Sequence, residues 1–304
     1  MSIVERALGK IRQPGPADTG KQPAPATESE ATASVGDSGL GAPITLDFDA
    51  LRAASMLAPA THERAIASEF RHIKRSIVAR ALGRQPVARG DARVVLIASA
   101  LPGDGKTFTA FNLALSLALE LDLSVVLIDG DVVKPQISTV LGQDGRYGLL
   151  DILRAPQSNP ETAIHPTNVG NLAFLPAGRP GDDATELIGS DAFVEVARSI
   201  LAADRRRVLV LDSCPLLAAS EARGLADLAG QIVLVVKAEV TPRDAVRSAL
   251  ELLGPDKEVG LVLNQLARDG VGGYTNYGGY GSYGAYSGYG AKQHSSAASA
   301  ARDA

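Results

Sequence analysis

Six short runs rich in Val, Ile and Leu constrain this chain more than anything else in it: Val94–Ala98, Ser124–Ile128, Leu172–Leu175, Val208–Leu211, Ile232–Val236 and Gly260–Leu263. They lack apolar–polar alternation, as strands covered on both faces do. Helical segments at about 106–120, 191–203, 221–229 and 242–253 lie between them and supply crossovers. Strands and helices alternating in this way predict an α/β domain with a doubly wound, mostly parallel sheet. A further charged helix is expected over 62–82, with Ile66, Phe70, Ile73 and Ile77 at steps of three and four and a basic opposite face of Arg71, Lys74, Arg75 and Arg80.

The two ends of the chain have another character. In Met1–Ile11, Ile3, Val4, Ala7, Leu8 and Ile11 fall at helical spacing. So short a helix is marginal alone, and the segment reads either as a docking helix or as a frayed leader. From Pro14 to about Pro43 the composition is that of a disordered linker, so the folded domain is expected over 44–268. Residues 269–304, first Gly- and Tyr-rich and then polar and Ala-rich, read as a disordered tail.

Composition excludes several classes. The formal net charge of −4 gives no basic field for a nucleic-acid partner. The one cysteine, Cys214, forbids an intrachain disulfide and fits a reducing compartment. His62, His72, His165 and His294 show no metal-ligand spacing. Met1–Gln13 is charged throughout, unlike a signal peptide, and no apolar run approaches the ~20 residues that cross a bilayer. The expectation is a cytoplasmic chain that reaches a membrane, if at all, through a partner.

The sharpest local signal is Ala100-Leu101-Pro102-Gly103-Asp104-Gly105-Lys106-Thr107, between a strand and a helix. A phosphate loop needs that context. Gly103 and Gly105 can take left-handed angles and bring amides against phosphate oxygens, while the helix N-terminus carries partial positive charge. Lys106 would meet the β- and γ-phosphates of ATP, and the Thr107 hydroxyl would ligate Mg2+. Ala100 stands where the strict pattern has its first glycine.

Two further strands end in acids: Val125–Asp129 continuing to Asp131, and Val208–Asp212 followed by Ser213-Cys214-Pro215. Ligands of open α/β sheets lie beyond the carboxyl ends of the strands, so Asp129, Asp131 and Asp212 should converge on the phosphate loop. There they can hold a magnesium water shell or orient a nucleophile. Cys214 reads as an inert packed thiol.

Six of the seven tyrosines, Tyr274, Tyr277, Tyr280, Tyr283, Tyr286 and Tyr289, recur every third residue between small residues. Neither helix nor strand packing has that period. Two readings are open: a flexible substrate offering each phenol in turn to the nucleotide site, or a self-associating low-complexity segment. A nucleotide site in the same chain favours the first.

Taken together, these motifs and the tyrosine-rich tail resemble the bacterial tyrosine kinases of capsule and exopolysaccharide synthesis, over residues 69–266. Within that family Met1-Ser-Ile-Val-Glu-Arg-Ala-Leu8, Leu46-Asp-Phe-Asp-Ala-Leu-Arg52 and Glu69-Phe-Arg-His-Ile-Lys-Arg75 look most like the exosortase-associated tyrosine autokinases; Leu175–Gly178 with Glu186-Leu187, and Val262–Asn264, are also similar to family landmarks. The resemblance implies a P-loop fold with deviant Walker motifs: Ala100–Thr107 as Walker A, Asp129 and Asp131 as the second acidic motif, and Asp212 as Walker B. In the acidic motif one residue assists magnesium and the other activates the tyrosine hydroxyl. It further implies nucleotide contacts from Gly103, Asp104, Gly105, Lys106, Thr107 and Phe108, Asn264 near the adenine, and magnesium at Thr107, Asp131 and Asp212. Implied partners are further copies of the chain in a transphosphorylating ring, a membrane chain-length regulator of polysaccharide export that holds the kinase at the inner membrane, and a tyrosine phosphatase. The family's ring helix carries E-x-x-R-x-x-R, and here those positions read Ser68, Arg71 and Lys74, with Glu69 adjacent. After the acidic pair, Val133 and Lys134 replace the family's basic residues, and its D-T-P-P is Asp212-Ser213-Cys214-Pro215.

A second class shares the sheet and motifs: ParA- and MinD-type positioning ATPases, which phosphorylate no protein. That group usually carries an additional lysine early in its phosphate loop, and residues 99–104 contain none. A scaffold that has lost activity is a third reading, although Lys106, Thr107 and all three acids are present.

Overall fold

The computed structural model describes residues 39–155, 157–218 and 221–266, apart from the side chains of Glu221 and Arg223. The N-terminal helix, nearly all of the linker and the whole tyrosine ladder lie outside these residues.

Among the described residues seven strands form one sheet: β1 (Asp91–Ser99), β2 (Ser124–Asp129), β3 (His165–Pro166), β4 (Leu172–Leu175), β5 (Arg207–Asp212), β6 (Ala229–Lys237) and β7 (Val259–Asn264). Their spatial order is β3-β4-β2-β5-β1-β6-β7. Every pairing is parallel except the short β3–β4 contact. Side-chain alternation along β1 divides the core: Val94, Leu96 and Ala98 face one layer, Val95 and Ile97 the other. The first layer contains α5 (Leu149–Arg154), α6 (Ala184–Ile188), α7 (Asp191–Ala203), α8 (Glu221–Leu228) and α9 (Arg243–Leu253). The second contains α1 (Phe48–Ala53), α2 (Glu63–Ala81), α3 (Lys106–Leu117) and the start of α4 (Gln136–Val140). This is the doubly wound arrangement that the unalternating strands demand.

Each expected strand is present, most of them a residue or more longer than its apolar run, because polar residues such as Asp91, Arg207 and Gln231 continue the ladder. The short helices α1, α4, α5 and α6 and the two-residue β3 were not expected. None is long enough to show a period.

Packed structure begins before Ile44. The Gly41 amide donates to the Ile164 carbonyl at 2.9 Å, and that of Ile44 to the Pro166 carbonyl at 2.8 Å. This strap then passes Asn168, whose Oδ1 accepts from the Leu46 amide, and enters α1 under an Asp47 cap. Ser55 turns the chain at φ 58°, which buries Met56 and Leu57 against α3.

One expectation about α2 needs correcting: its basic face is not continuous. Lys74 is buried, with its ammonium 2.6 Å from the Glu120 carboxylate and donating to the Ser116 carbonyl at 3.0 Å. The last turn of α3 leaves carbonyls without helical partners and carries partial negative charge, which draws the lysine inward. Arg80 is held by Glu258. Arg71 and Arg75 are the exposed remainder of that face. Lys74, placed by the family pattern in a contact between subunits, is thus committed within this one. A K74M variant is expected to lose about 1–2 kcal/mol of stability, read as a lower urea midpoint at unchanged slope.

Candidate nucleotide and phosphoryl-transfer site

The carboxyl ends of the parallel strands carry the chemistry. After β1 the chain forms the loop Ala100–Gly105, and Lys106 opens α3. Gly103 has φ 83° and Gly105 φ 96°, the left-handed conformation expected of them. A Cβ at Gly105 would also lie 2.0 Å from Nδ2 of Asn264, so that side chain would have to leave its place. Ala100, by contrast, is fully buried and has no positive φ. The glycine absent there is not required by the backbone.

No acidic residue occupies the first turn of α3, and no side chain caps it. Its N-terminal amides and Lys106 together favour an anion. They border a cleft of about 710 Å3, lined also by Thr107, Phe108 and Asp131. Phe108 packs against Phe70, ring centroids 6.4 Å apart. Two walls were not foreseen. One is the Ala54–Met56 turn of the strap, fixed where Asn112 Nδ2 donates to the Met56 carbonyl at 2.8 Å; the other is the segment from Lys134 to Gln136. Neither has a sequence signature, because a strap and a loop are brought there by tertiary packing.

Asp129 and Asp212 are partners in the β2–β5 register and are fully buried beneath this cleft. Oδ2 of Asp129 accepts from the amide and the hydroxyl of Ser138, both at 2.8 Å. That hydroxyl in turn accepts from the Ala177 amide at 3.1 Å. Oδ1 of Asp129 and both oxygens of Asp212 have no hydrogen-bond partner among the described residues. Burial above all, with a smaller push from Asp131 and against the pull of Ser138, raises Asp129 to about 7. Burial first, then the Asp129 charge, raises Asp212 to about 8. Thr107 and Lys106 favour its ionised form, although the Thr107 hydroxyl does not meet hydrogen-bond geometry. Asp131, half-buried, lies on the cleft wall, and its Oδ1 accepts from the Lys134 amide at 3.1 Å.

The structure therefore brings Lys106, Thr107, Asp129, Asp131 and Asp212 into one neighbourhood, with Asp131 facing the cleft and the other two acids under it. Asn264, expected near an adenine, donates through Nδ2 to the Asp104 carbonyl at 2.9 Å, while the following Gln265 lines the cleft. Cys214 is buried at the cleft margin. Among the described residues no group of three or more His, Cys, Asp or Glu side chains could hold a metal by itself. A magnesium ion still fits: it favours one or two carboxylates plus water and phosphate oxygens, and the orphaned carboxylate oxygens are hard donors of that kind. No helix among the described residues is long and apolar enough to cross a membrane.

No family model matches the chain. Tyrosine-protein kinase YwqD of Bacillus subtilis is 31% identical over 207 residues, covering 67% of this chain and 83% of that protein. The succinoglycan biosynthesis transport protein ExoP of Rhizobium meliloti is 32% identical over 198 residues, 64% of this chain, which spans only 25% of that larger protein. The crystal structure of the VpsO kinase domain superposes with a TM-score of 0.56 at 28% identity, covering 69% of this chain and 100% of that one. On that identity to YwqD, over more than four-fifths of its length, the chain belongs to the bacterial tyrosine-protein kinases.

Proposed function

We propose that this chain transfers the γ-phosphoryl group of ATP to tyrosines of its own ladder, Tyr274 to Tyr289. The observation that carries the reading is the meeting of Lys106, Thr107 and three carboxylates at one sheet edge in a chain that also contains six regularly spaced tyrosines. Residues 1–43 would be a leader and linker, 44–268 the kinase domain and 269–304 the acceptor tail.

In this mechanism the loop amides and Lys106 bind and orient the triphosphate, with Phe108 and the Asn264–Gln265 corner bordering the nucleoside side. Thr107 and Asp212 would hold magnesium, whose charge offsets that of the β- and γ-phosphates, which leaves Asp131 for the phenol. Asp129, fixed by Ser138, keeps the carboxylate layer in register under the cleft. Asp131 faces the cleft and is placed to orient the incoming phenol and take its proton. An unperturbed tyrosine has a pKa of about 10, so the proton needs an acceptor during transfer. The phenolic oxygen bonds to the γ-phosphorus, the bond from that phosphorus to the β–γ bridging oxygen breaks, and ADP leaves. Each transfer adds about −1.5 to −2 charge to the tail. The kinship with ExoP supports a role in polysaccharide synthesis and export, with the chain working beside a membrane partner and other copies of itself.

Purified protein incubated with Mg-ATP and probed for phosphotyrosine tests this, alongside a chain truncated after Val271. Signal is expected from the intact chain and its loss from the truncated one. Tyr147 is the one tyrosine left after truncation, so undiminished signal there would overturn the ladder as acceptor. ATP turnover without phosphotyrosine, with a membrane activator supplied, would favour the positioning-ATPase alternative.

A further inference from the structure

Asp104 poses a physical problem for a phosphate loop, because it puts a carboxylate inside a cradle for anions. The structure turns it away. Gly103 and Gly105 on either side line the cleft, whereas Asp104 does not and is 2% exposed. Its Oδ2 accepts from the Leu101 amide at 3.2 Å, at the start of the same loop. Its Oδ1 accepts from the Thr241 hydroxyl at 2.7 Å. Thr241 lies in the connection between β6 and α9, and its own oxygen accepts from the Lys237 amide at 3.0 Å. The Thr241 amide donates back to the Lys237 carbonyl, also at 3.0 Å, which fixes the turn that presents the hydroxyl. Asn264 at the end of β7 holds the Asp104 carbonyl from the neighbouring strand.

We propose that Thr241 is a positioning residue for phosphoryl transfer, a latch that holds the Asp104 carboxylate off the nucleotide path and so sets the phosphate loop in its binding shape. The latch rests on the assignment of ATP to that loop. Thr241 touches no substrate; it acts through Asp104. Within a few ångströms a freed carboxylate repels the triphosphate, and the same group held by two donors on the far side repels it less. The Thr241 hydroxyl is both donor and acceptor, so a valine of nearly the same shape breaks both bonds at once.

The test measures ATP binding directly, by calorimetry with Mg-ATP, together with KM and kcat for phosphotyrosine formation. T241V is expected to weaken ATP binding and raise KM about tenfold, with kcat at saturating ATP within about twofold of the parent. T241S, which keeps the hydroxyl, restores parental values. Adding D104N to T241V recovers much of the affinity, because the repelling charge is gone; a purely structural loss would not be reversed that way. Equal ATP affinity in T241V and the parent overturns the latch, as does a fall in kcat at unchanged KM, or a D104N/T241V protein no tighter than T241V. A parent protein that binds no ATP overturns instead the nucleotide assignment itself.

Discussion

In chelator at pH 8, a D212N protein is expected to melt at a higher temperature than its parent, and with Mg-ATP it is expected to form no phosphotyrosine above background. The two effects have one cause. Asp212 is fully buried, neither carboxylate oxygen has a hydrogen-bond partner among the described residues, and Asp129 stands beside it in the adjacent strand. A charge so placed costs stability. Its folded pKa of about 8 lies above the ordinary value of 3.8. Between those values the native state binds the proton more than the unfolded state does, so metal-free stability falls as pH rises through that window. Above about pH 8 the penalty is fully present, and it is gone only below 3.8. Asparagine carries no charge and removes this slope. The asparagine amide, left unpaired in the same place, offsets much of this relief, so the net gain at pH 8 is roughly 2 kcal/mol, equivalent to roughly 4–8 °C in Tm, and it shrinks towards pH 5. Thermal melts of both proteins at pH 5 and pH 8 check it. A variant no more stable than its parent at pH 8 would mean that Asp212 is well compensated, and would remove the argument that its oxygens are kept for a cation. Strain kept at a working site at the expense of stability is a general feature of catalytic pockets.

The second large effect is expected at Lys106. This lysine is buried at the first turn of α3, and that turn itself carries no acidic residue. Methionine preserves most of the side chain's length and apolar stem, so K106M should fold. It deprives the phosphates of their one loop cation and leaves Asp212 without a compensating charge. Loss of a single charge aimed at the reacting group typically costs about 10²–10³ in rate. Phosphotyrosine from K106M should therefore fall by at least about 100-fold while its circular dichroism matches the parent's. Near-parental signal would detach the chemistry from this loop.

Much of this site could be read in the sequence because its logic is local. A strand, a glycine turn and a Lys-Thr pair are contiguous, so the phosphate loop announced itself at Ala100–Thr107 in spite of the alanine. Asp129 and Asp212 were legible because β2 and β5 are uninterrupted apolar runs that end in acids, and parallel strands place their ends along one edge. What escaped were interactions made across long sequence separations. The strap from Gly41 to Met56 forms part of the cleft wall only because Asn112 and Asn168 fasten it. Ser138 anchors Asp129 from a five-residue helix too short for any period. Thr241 reaches Asp104 across 137 residues. Lys74 shows the converse failure: helical spacing put it on a basic face, and the carbonyl end of α3 drew it inside. Boundaries shifted for a similar reason, since a residue such as Gln231, polar in sequence, is buried in β6 with its side chain donating to the Ile77 and Ala92 carbonyls.

The protein is incubated with Mg-ATP, the ADP formed is counted, and every phosphorylated residue is located by mass spectrometry. Phosphate is expected on the tyrosines from Tyr274 to Tyr289, rising in step with ADP. ADP accumulating while all six remain unmodified, in the presence of a membrane activator, would contradict transfer to the ladder.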